Sequence, residues 1–296
     1  MTKTILVTGG SGHIGSTLVE KVVGLYPTVY VLSRRRNDSW NDSTIFLQCS
    51  LSDISEYKDI LKHIDVVVHL AAFVPKMKDD DFKQSVEVNL KGTMKLVRLL
   101  KQGTRFVFIS TCEVYGVPET EVIDENHSLN PLTYYGMSKI AAEKTLQIYC
   151  KKHNIDLIIL RLTSVYGPGE VINRAIPNFI RNVMNDKSPV VFGDGQDKRD
   201  YVYVDDVVGY ILAAVRLGHG IYNIAMGRSY SIQSIANMII ELSGKDLQIV
   251  YKDREAPRRD YVFDVTRAKS LGYVPKVELE EGLRKEIDWY EEENIS

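Results

Sequence analysis

Cysteine is scarce in this chain and forms no pattern. Cys49, Cys112 and Cys150 are odd in number and show no C-x-x-C spacing, which points to a reducing compartment rather than a disulfide framework. The six histidines show no H-E-x-x-H or comparable spacing, so no metal site is expected. Neither sign of charge dominates: 37 Lys and Arg stand against 39 Asp and Glu, a formal net charge of −2. That balance gives nucleic acid no electrostatic reason to bind. No apolar run is long enough to span a bilayer, and no signal-peptide cleavage pattern opens the chain. A cytoplasmic protein without membrane contact is the expectation. There is no repeat of solenoid length and no low-complexity segment.

What is present begins at once. The 296 residues are 44% hydrophobic, enough for one large domain or two unequal lobes. Ile5, Leu6 and Val7 read as a buried parallel strand. Gly9, Gly10, Gly12 and Gly15 follow, with His13 and Ile14 inside the turn, and Ile14, Leu18 and Val22 open a helical pattern. Only residues without Cβ can make so tight a turn and let backbone approach a pyrophosphate. Free N–H groups and the helix dipole then hold it. Strand, glycine turn and helix together imply a bound dinucleotide.

Strand and helix alternate through the first half. Val29–Leu32, Thr44–Leu47, Asp65–Leu70, Arg105–Ser110 and Asp156–Arg161 read as further strands. Helical patterns lie around Val86–Val97 and Tyr135–Tyr149. Repeated strand–helix units imply a doubly wound parallel sheet, with ligands at the carboxyl ends of its strands. After Tyr166-Gly167-Pro168-Gly169 the rhythm changes. A helix with Pro177 near its start leads to a short strand at Pro189–Phe192, and Tyr201–Val204 with the helix after it reads as a return to the main sheet. Residues 1–165 and about 196–226 therefore form one domain, and about 166–195 and 227–296 a smaller, discontinuous α/β lobe.

Tyr135 and Lys139 stand four residues apart, so a helix places them on one face. A nearby ammonium favours phenolate and should lower the tyrosine pKa. Such a pair suits hydroxyl–carbonyl interconversion. The fifth strand ends in Ser110-Thr111-Cys112-Glu113-Val114-Tyr115-Gly116, which points a hydroxyl into the same crevice.

At these residues the chain resembles the extended short-chain dehydrogenase/reductases that act on nucleotide sugars. The resemblance covers nearly the whole length. It runs through Gly9-x-x-Gly12-x-x-Gly15, His69-Leu70-Ala71-Ala72, Val88-Asn89-Leu90-Lys91-Gly92-Thr93 and the Ser110–Gly116 segment. It continues through Tyr135-x-x-x-Lys139, Leu160-Arg161-x-x-x-Val165-Tyr166-Gly167-Pro168-Gly169, the Arg199–Asp206 segment and Leu279–Arg284. It implies a Rossmann-type domain with a nucleotide-sugar lobe. It also implies a Thr111–Tyr135–Lys139 catalytic triad, with Lys139 on the nicotinamide ribose and Leu70, Ala71 and Ala72 beside the cofactor. Asp53 would accept from adenine, a role that competes with helix N-capping. Arg199 and Arg254 would clamp the sugar-nucleotide diphosphate. Phe192 would meet the base, unless it is simply core. His69 and Asn89 read as structural.

Three positions depart from the family. The second strand ends Ser33-Arg34-Arg35-Arg36 without an acidic residue. Arginines there suit a 2′-phosphate, so Ser33, Arg34 and Arg35 suggest NADP(H), with NAD(H) the alternative and a solvated charge run the plain reading. Cys112 stands where the 4,6-dehydratases often carry Asp or Ser beside Glu113, and a thiol is a poor acid. Ser164 replaces a customary Asn, which weakens one substrate contact. The expectation is an NADP(H)-dependent 4-keto sugar reductase acting at C4. A 4-epimerase or 4,6-dehydratase with tightly held cofactor is the alternative. A non-catalytic dinucleotide-binding regulator is disfavoured by the complete triad. The helices around Val86–Leu100 and Tyr135–Tyr149, with surplus apolar residues Leu96, Leu99, Ile140 and Ile148, are expected to pair in a homodimer.

Overall fold

Every interior strand of the main sheet is apolar on both faces, the signature of a sheet covered by helices on each side. The structure, a computed structural model, describes residues 3–37, 40, 43–75, 80–170 and 172–295. Twelve strands run in chain order: β1 (Thr4–Thr8), β2 (Thr28–Ser33), β3 (Thr44–Gln48), β4 (Val66–His69), β5 (Arg105–Thr111), β6 (Asp156–Leu162), β7 (Ser164–Tyr166), β8 (Val190–Phe192), β9 (Lys198–Tyr203), β10 (Gly220–Ile224), β11 (Ser229–Ser231) and β12 (Val250–Lys252). Seven of them form one parallel sheet in the order β10-β6-β5-β4-β1-β2-β3. This is the doubly wound α/β architecture expected. The order reverses between β1 and β4, so the crevice for a ligand opens beyond Thr8 and His69.

The period-two alternation of each strand splits the core in two. Ile5, Val7, Val66 and Val68 face one apolar layer, under the helices His13–Val23 and Val204–Leu217. Leu6, Val67, Phe106 and Phe108 face the other, under Thr93–Val97 and Tyr134–His153. Leu96 belongs to this second layer and is fully buried. It was expected on a subunit surface. Its apolar character serves the chain's own core instead.

One sheet assignment is corrected. Tyr201–Val204 does not return to the main sheet: β9 lies in a separate three-stranded sheet, β11-β9-β7. β9 pairs parallel with β7, and the Thr163 hydroxyl between β6 and β7 donates to the Asp200 carbonyl at 2.9 Å. The seventh strand of the main sheet is β10, parallel to β6. The helix Val204–Leu217 does pack on the main sheet and carries the chain there. β8 and β12 form a third, two-stranded sheet.

Two buried carboxylates tie these pieces together. Asp200 accepts from the N–H groups of Met226 and Arg228 at 2.8 and 3.0 Å. Asp206 accepts from the Tyr273 hydroxyl and the Lys276 and Val277 N–H groups at 2.7 to 3.0 Å. The Arg199–Asp206 motif is thus partly an anchor for the carboxy-terminal segment.

Candidate active site

The glycine turn is built for close backbone approach. Gly9 has φ +73°, and a Cβ there would fall 2.7 Å from the Ala71 nitrogen. A Cβ on Gly15 would fall 2.2 Å from the Gly9 carbonyl oxygen. The Gly12 N–H donates to that same carbonyl at 3.0 Å. The helix His13–Val23 starts at Gly12 with no side-chain cap, so no side chain takes up its first N–H groups. Such an uncapped helix start suits an anion, and the close backbone approach around it would fit a dinucleotide pyrophosphate. Leu70, Ala71 and Ala72 continue from β4 beside it, half-buried. Ile14 packs against the core, and the His13 ring lies against the Gly167 and Pro168 carbonyls across the crevice. Burial pulls the His13 pKa down to about 4.

At the end of β2, Ser33 is buried and its hydroxyl meets that of Ser11 at 2.5 Å. Arg34 and Arg35 are exposed, and no salt bridge to another described residue involves either. Asp53 is exposed at the N-cap position of Ile54–Tyr57 but caps nothing. Its carboxylate accepts from Ser50 and Ser52 at 2.6 and 3.0 Å, and these bonds hold its pKa low.

Thr111, Tyr135 and Lys139 come together at the carboxyl end of β5. Thr133 caps the helix Tyr134–His153 by accepting from the Gly136 N–H at 3.0 Å. Asp80 accepts from the Tyr134 and Tyr135 N–H groups at 2.7 and 3.1 Å, which fixes where Tyr135 enters. The Lys139 ammonium donates to the Ile109 carbonyl at 2.8 Å and lies 5.8 Å from the Tyr135 ring centre. Burial pulls the Lys139 pKa down to about 8, against the attraction of Glu143.

The expected lowering of the Tyr135 pKa is not found. Burial is the largest influence and pushes it up, Glu113 pushes the same way, and a hydrogen bond to Thr111 and the Arg174 charge only moderate the rise. Proximity of an ammonium cannot offset the loss of water when that ammonium is turned toward a carbonyl. Glu113 donates its N–H to the Thr111 hydroxyl and accepts from the Thr133 hydroxyl, both at 3.2 Å. Cys112 is buried, which pushes its thiol up to about 12, with Glu113 adding to the rise. His69 bridges the Thr8 and Thr93 hydroxyls at 2.7 and 2.8 Å. Asn89 binds both backbone groups of Phe73 and donates to Ser138.

A cavity of about 300 Å³ opens from Thr111, Cys112 and Glu113. Ser164 and Arg199 line it. Arg254 does not; with Tyr251 and Lys252 it lines a second cavity of about 290 Å³. Phe192 is not core: it is 51% exposed on β8, opposite Lys252. Three residues that carried no motif also line the first cavity, namely Glu170, Arg174 and Arg259. Burial pushes Glu170 up to about 7, against Arg174 at 3.8 Å. Neither Arg174 nor the Arg258-Arg259 pair falls in a motif that marks it in the sequence. Among the described residues no group of three or more His, Cys, Asp or Glu could hold a metal ion, and no helix is long and apolar enough to cross a membrane.

Residues 5–225 match the model of the NAD dependent epimerase/dehydratase family. The chain belongs to this family. The mouse dTDP-D-glucose 4,6-dehydratase is 30% identical, over 97% of this chain and 88% of the relative. Among solved structures, the UDP-glucose 4-epimerase of Thermotoga maritima with UDP-glucose is 30% identical, with a TM-score of 0.87 over 98% of this chain and 99% of that one. The Bacillus cereus UDP-glucuronic acid 4-epimerase, bound to UDP-glucuronic acid and NAD, is 28% identical with the same TM-score and coverage. The motif resemblance to extended short-chain dehydrogenase/reductases is therefore correct, and so is the reading of the chain as an enzyme of that group.

Proposed function

We propose that this enzyme interconverts the C4 epimers of a nucleotide-activated sugar. The observation that carries this is the junction of two features: a buried Tyr135 bonded to Thr111, and a cavity from Thr111 whose walls carry Arg174, Arg199 and Arg259. Acid–base groups meet the sugar, and guanidinium forks suit its diphosphate. Once ionised, Tyr135 takes the C4 hydroxyl proton as the phenolate during oxidation and returns it as the phenol during reduction. Thr111 bonds the same oxygen, and Lys139 holds positive charge behind Tyr135. A bound nicotinamide dinucleotide supplies the chemistry of accepting the C4 hydride and giving it back. Gly9, Gly12 and Gly15 would hold its pyrophosphate, with Leu70–Ala72 beside it and Asp53 on the adenine side. Elimination of water is disfavoured because the Cys112 thiol is too weak an acid to protonate a leaving hydroxyl.

A second reading, the NADP(H)-dependent 4-ketoreductase, is favoured by Arg34 and Arg35. Both are exposed at the end of β2, where a 2′-phosphate would sit beside Ser33. Incubation with a panel of UDP- and dTDP-sugars and their 4-keto forms separates the readings. A 4-epimer formed without net use of cofactor supports epimerisation. Stoichiometric NADPH oxidation with a 4-keto sugar and no epimer overturns it in favour of reduction. A dehydrated product overturns both. The enzyme is proposed to act as a homodimer through its Ser85–Val97 and Tyr134–His153 segments, which expose Met137 at 39% and Ile148 at 72%. A monomeric mass by light scattering counts against this.

A further inference from the structure

Asp197 stands between the two cavities and holds the arginines of both. Its buried carboxylate pairs through Oδ2 with Arg254. Through Oδ1 it accepts from the Arg259 backbone N–H at 3.1 Å and lies 3.7 Å from an Arg199 guanidinium nitrogen. Arg199 and Arg259 line the catalytic cavity, whereas Arg254 lines the second. Arg199 is fixed further by donating to the Lys198 and Arg259 carbonyls. The Arg259 Nε is buried and has no hydrogen-bond partner among the described residues. A buried donor without an acceptor is costly and points to a ligand that would supply one. Gly193, at φ +77°, lets the chain turn beneath Arg254: a Cβ there would fall 3.1 Å from its guanidinium carbon.

We propose that Asp197 is a positioning residue that sets Arg199, Arg254 and Arg259 to grip a diphosphate crossing between the two cavities. This rests on the nucleotide-sugar reading. Arginine side chains are long, and ordering each one on ligand binding costs entropy. A buried carboxylate that already holds the Arg199 and Arg254 guanidinium groups, and fixes the backbone from which Arg259 projects, removes part of that cost before the ligand arrives. A carboxylate that merely cancelled charge would have the opposite effect, because its removal would strengthen anion binding.

Asp197→Asn separates these outcomes, read with inorganic pyrophosphate as a competitive inhibitor and uridine as an uncharged control. Positioning predicts that the KM for the sugar nucleotide and the pyrophosphate inhibition constant both rise roughly tenfold, the scale of one charge-assisted bond. It predicts a smaller fall in kcat and unchanged uridine binding. A lower KM, or an unchanged pyrophosphate constant, overturns the proposal. Failure of pyrophosphate to compete with the unaltered enzyme overturns the diphosphate reading itself, a separate result. Arg254→Gln, at a partly exposed side chain, carries the same test if Asp197→Asn fails to fold. Its pyrophosphate constant should rise alike, and the double variant should be no worse than either single one. Additive losses overturn the proposal.

Discussion

Burial first, then the Glu113 carboxylate, make Tyr135 keep its proton, while the Arg174 charge and a hydroxyl bond from Thr111 ease it the other way. On the proposed mechanism that proton must leave before Tyr135 can act as a base. Tyr135→Phe should therefore lower kcat by ~10²- to 10⁴-fold while fold and dinucleotide binding survive; near-normal turnover would remove Tyr135 from the chemistry. Lys139 gives a second check. With its pKa pulled down to about 8, it carries charge below that pH and loses it above. The kcat/KM of the free enzyme should fall as pH rises through about 8, and a profile flat well beyond that value would contradict the role. The pair itself was legible as Tyr135-x-x-x-Lys139, because one helical turn is a local matter. The direction of the tyrosine shift was not, because burial is decided by residues far away in sequence. Arg174 and Arg259 escaped for the same reason: neither lies in a motif that the sequence reading recognised, and only the fold brings them to the cavity that Thr111 lines.

The helix Tyr134–His153 is fastened to the sheet by more than apolar packing. Glu143, one turn beyond Lys139, forms a two-point pair with Arg161 of β6 at 2.7 and 3.1 Å, and Ser110 of β5 donates to it at 2.5 Å. Arg161 also donates to the Tyr115 hydroxyl, which donates to Asn223 of β10. One buried network thus joins the helix Tyr134–His153 to three strands. Removing one partner of a buried pair strands the other charge. Glu143→Gln should cost about 3–5 kcal/mol in urea unfolding, and a loss within measurement error would show the network to be dispensable. It should also lower the Lys139 pKa further, since Glu143 is what opposes burial there. The first six strands of the main sheet were readable in the sequence nearly to the residue, because buried parallel strands are continuous apolar runs, whereas β10 was not read at all. Nor was sheet membership legible. Tyr201–Val204 and Gly220–Ile224 are both short and apolar, and only the bend at Thr163 decides that the first follows β7 away from the main sheet.

Over the whole molecule, stability depends on carboxyls that fold into water-poor places. Glu286, on the helix Leu279–Ile295, accepts from the Gly167 N–H at 2.9 Å. Burial, with repulsion from Glu170 second, raises its pKa from 4.5 to about 9. The folded state thus binds a proton that the unfolded state releases above 4.5. The stability this gives is fully present below that pH and is lost as pH rises through about 9. Glu286→Gln keeps the acceptor without the charge. Its Tm should match the parent near pH 4.5 and exceed it increasingly toward pH 9. The two proteins share His13 and His69, so the difference isolates Glu286. A gap independent of pH would show that Glu286 is already ionised in the fold.

The route of the chain has a consequence for how the protein is made. Six strands of the main sheet are finished at Leu162, yet the seventh, β10, ends at Ile224. Between them lie β7, β8 and β9, all in other sheets. During synthesis the outer edge of β6, rich in Leu and Ile, has no neighbour until that excursion is complete. At about 5–20 residues per second the interval lasts roughly three to twelve seconds. An apolar edge left open is a template for wrong pairing. A nascent chain stalled in this window, or a fragment cut within it, should therefore aggregate more readily than the finished chain.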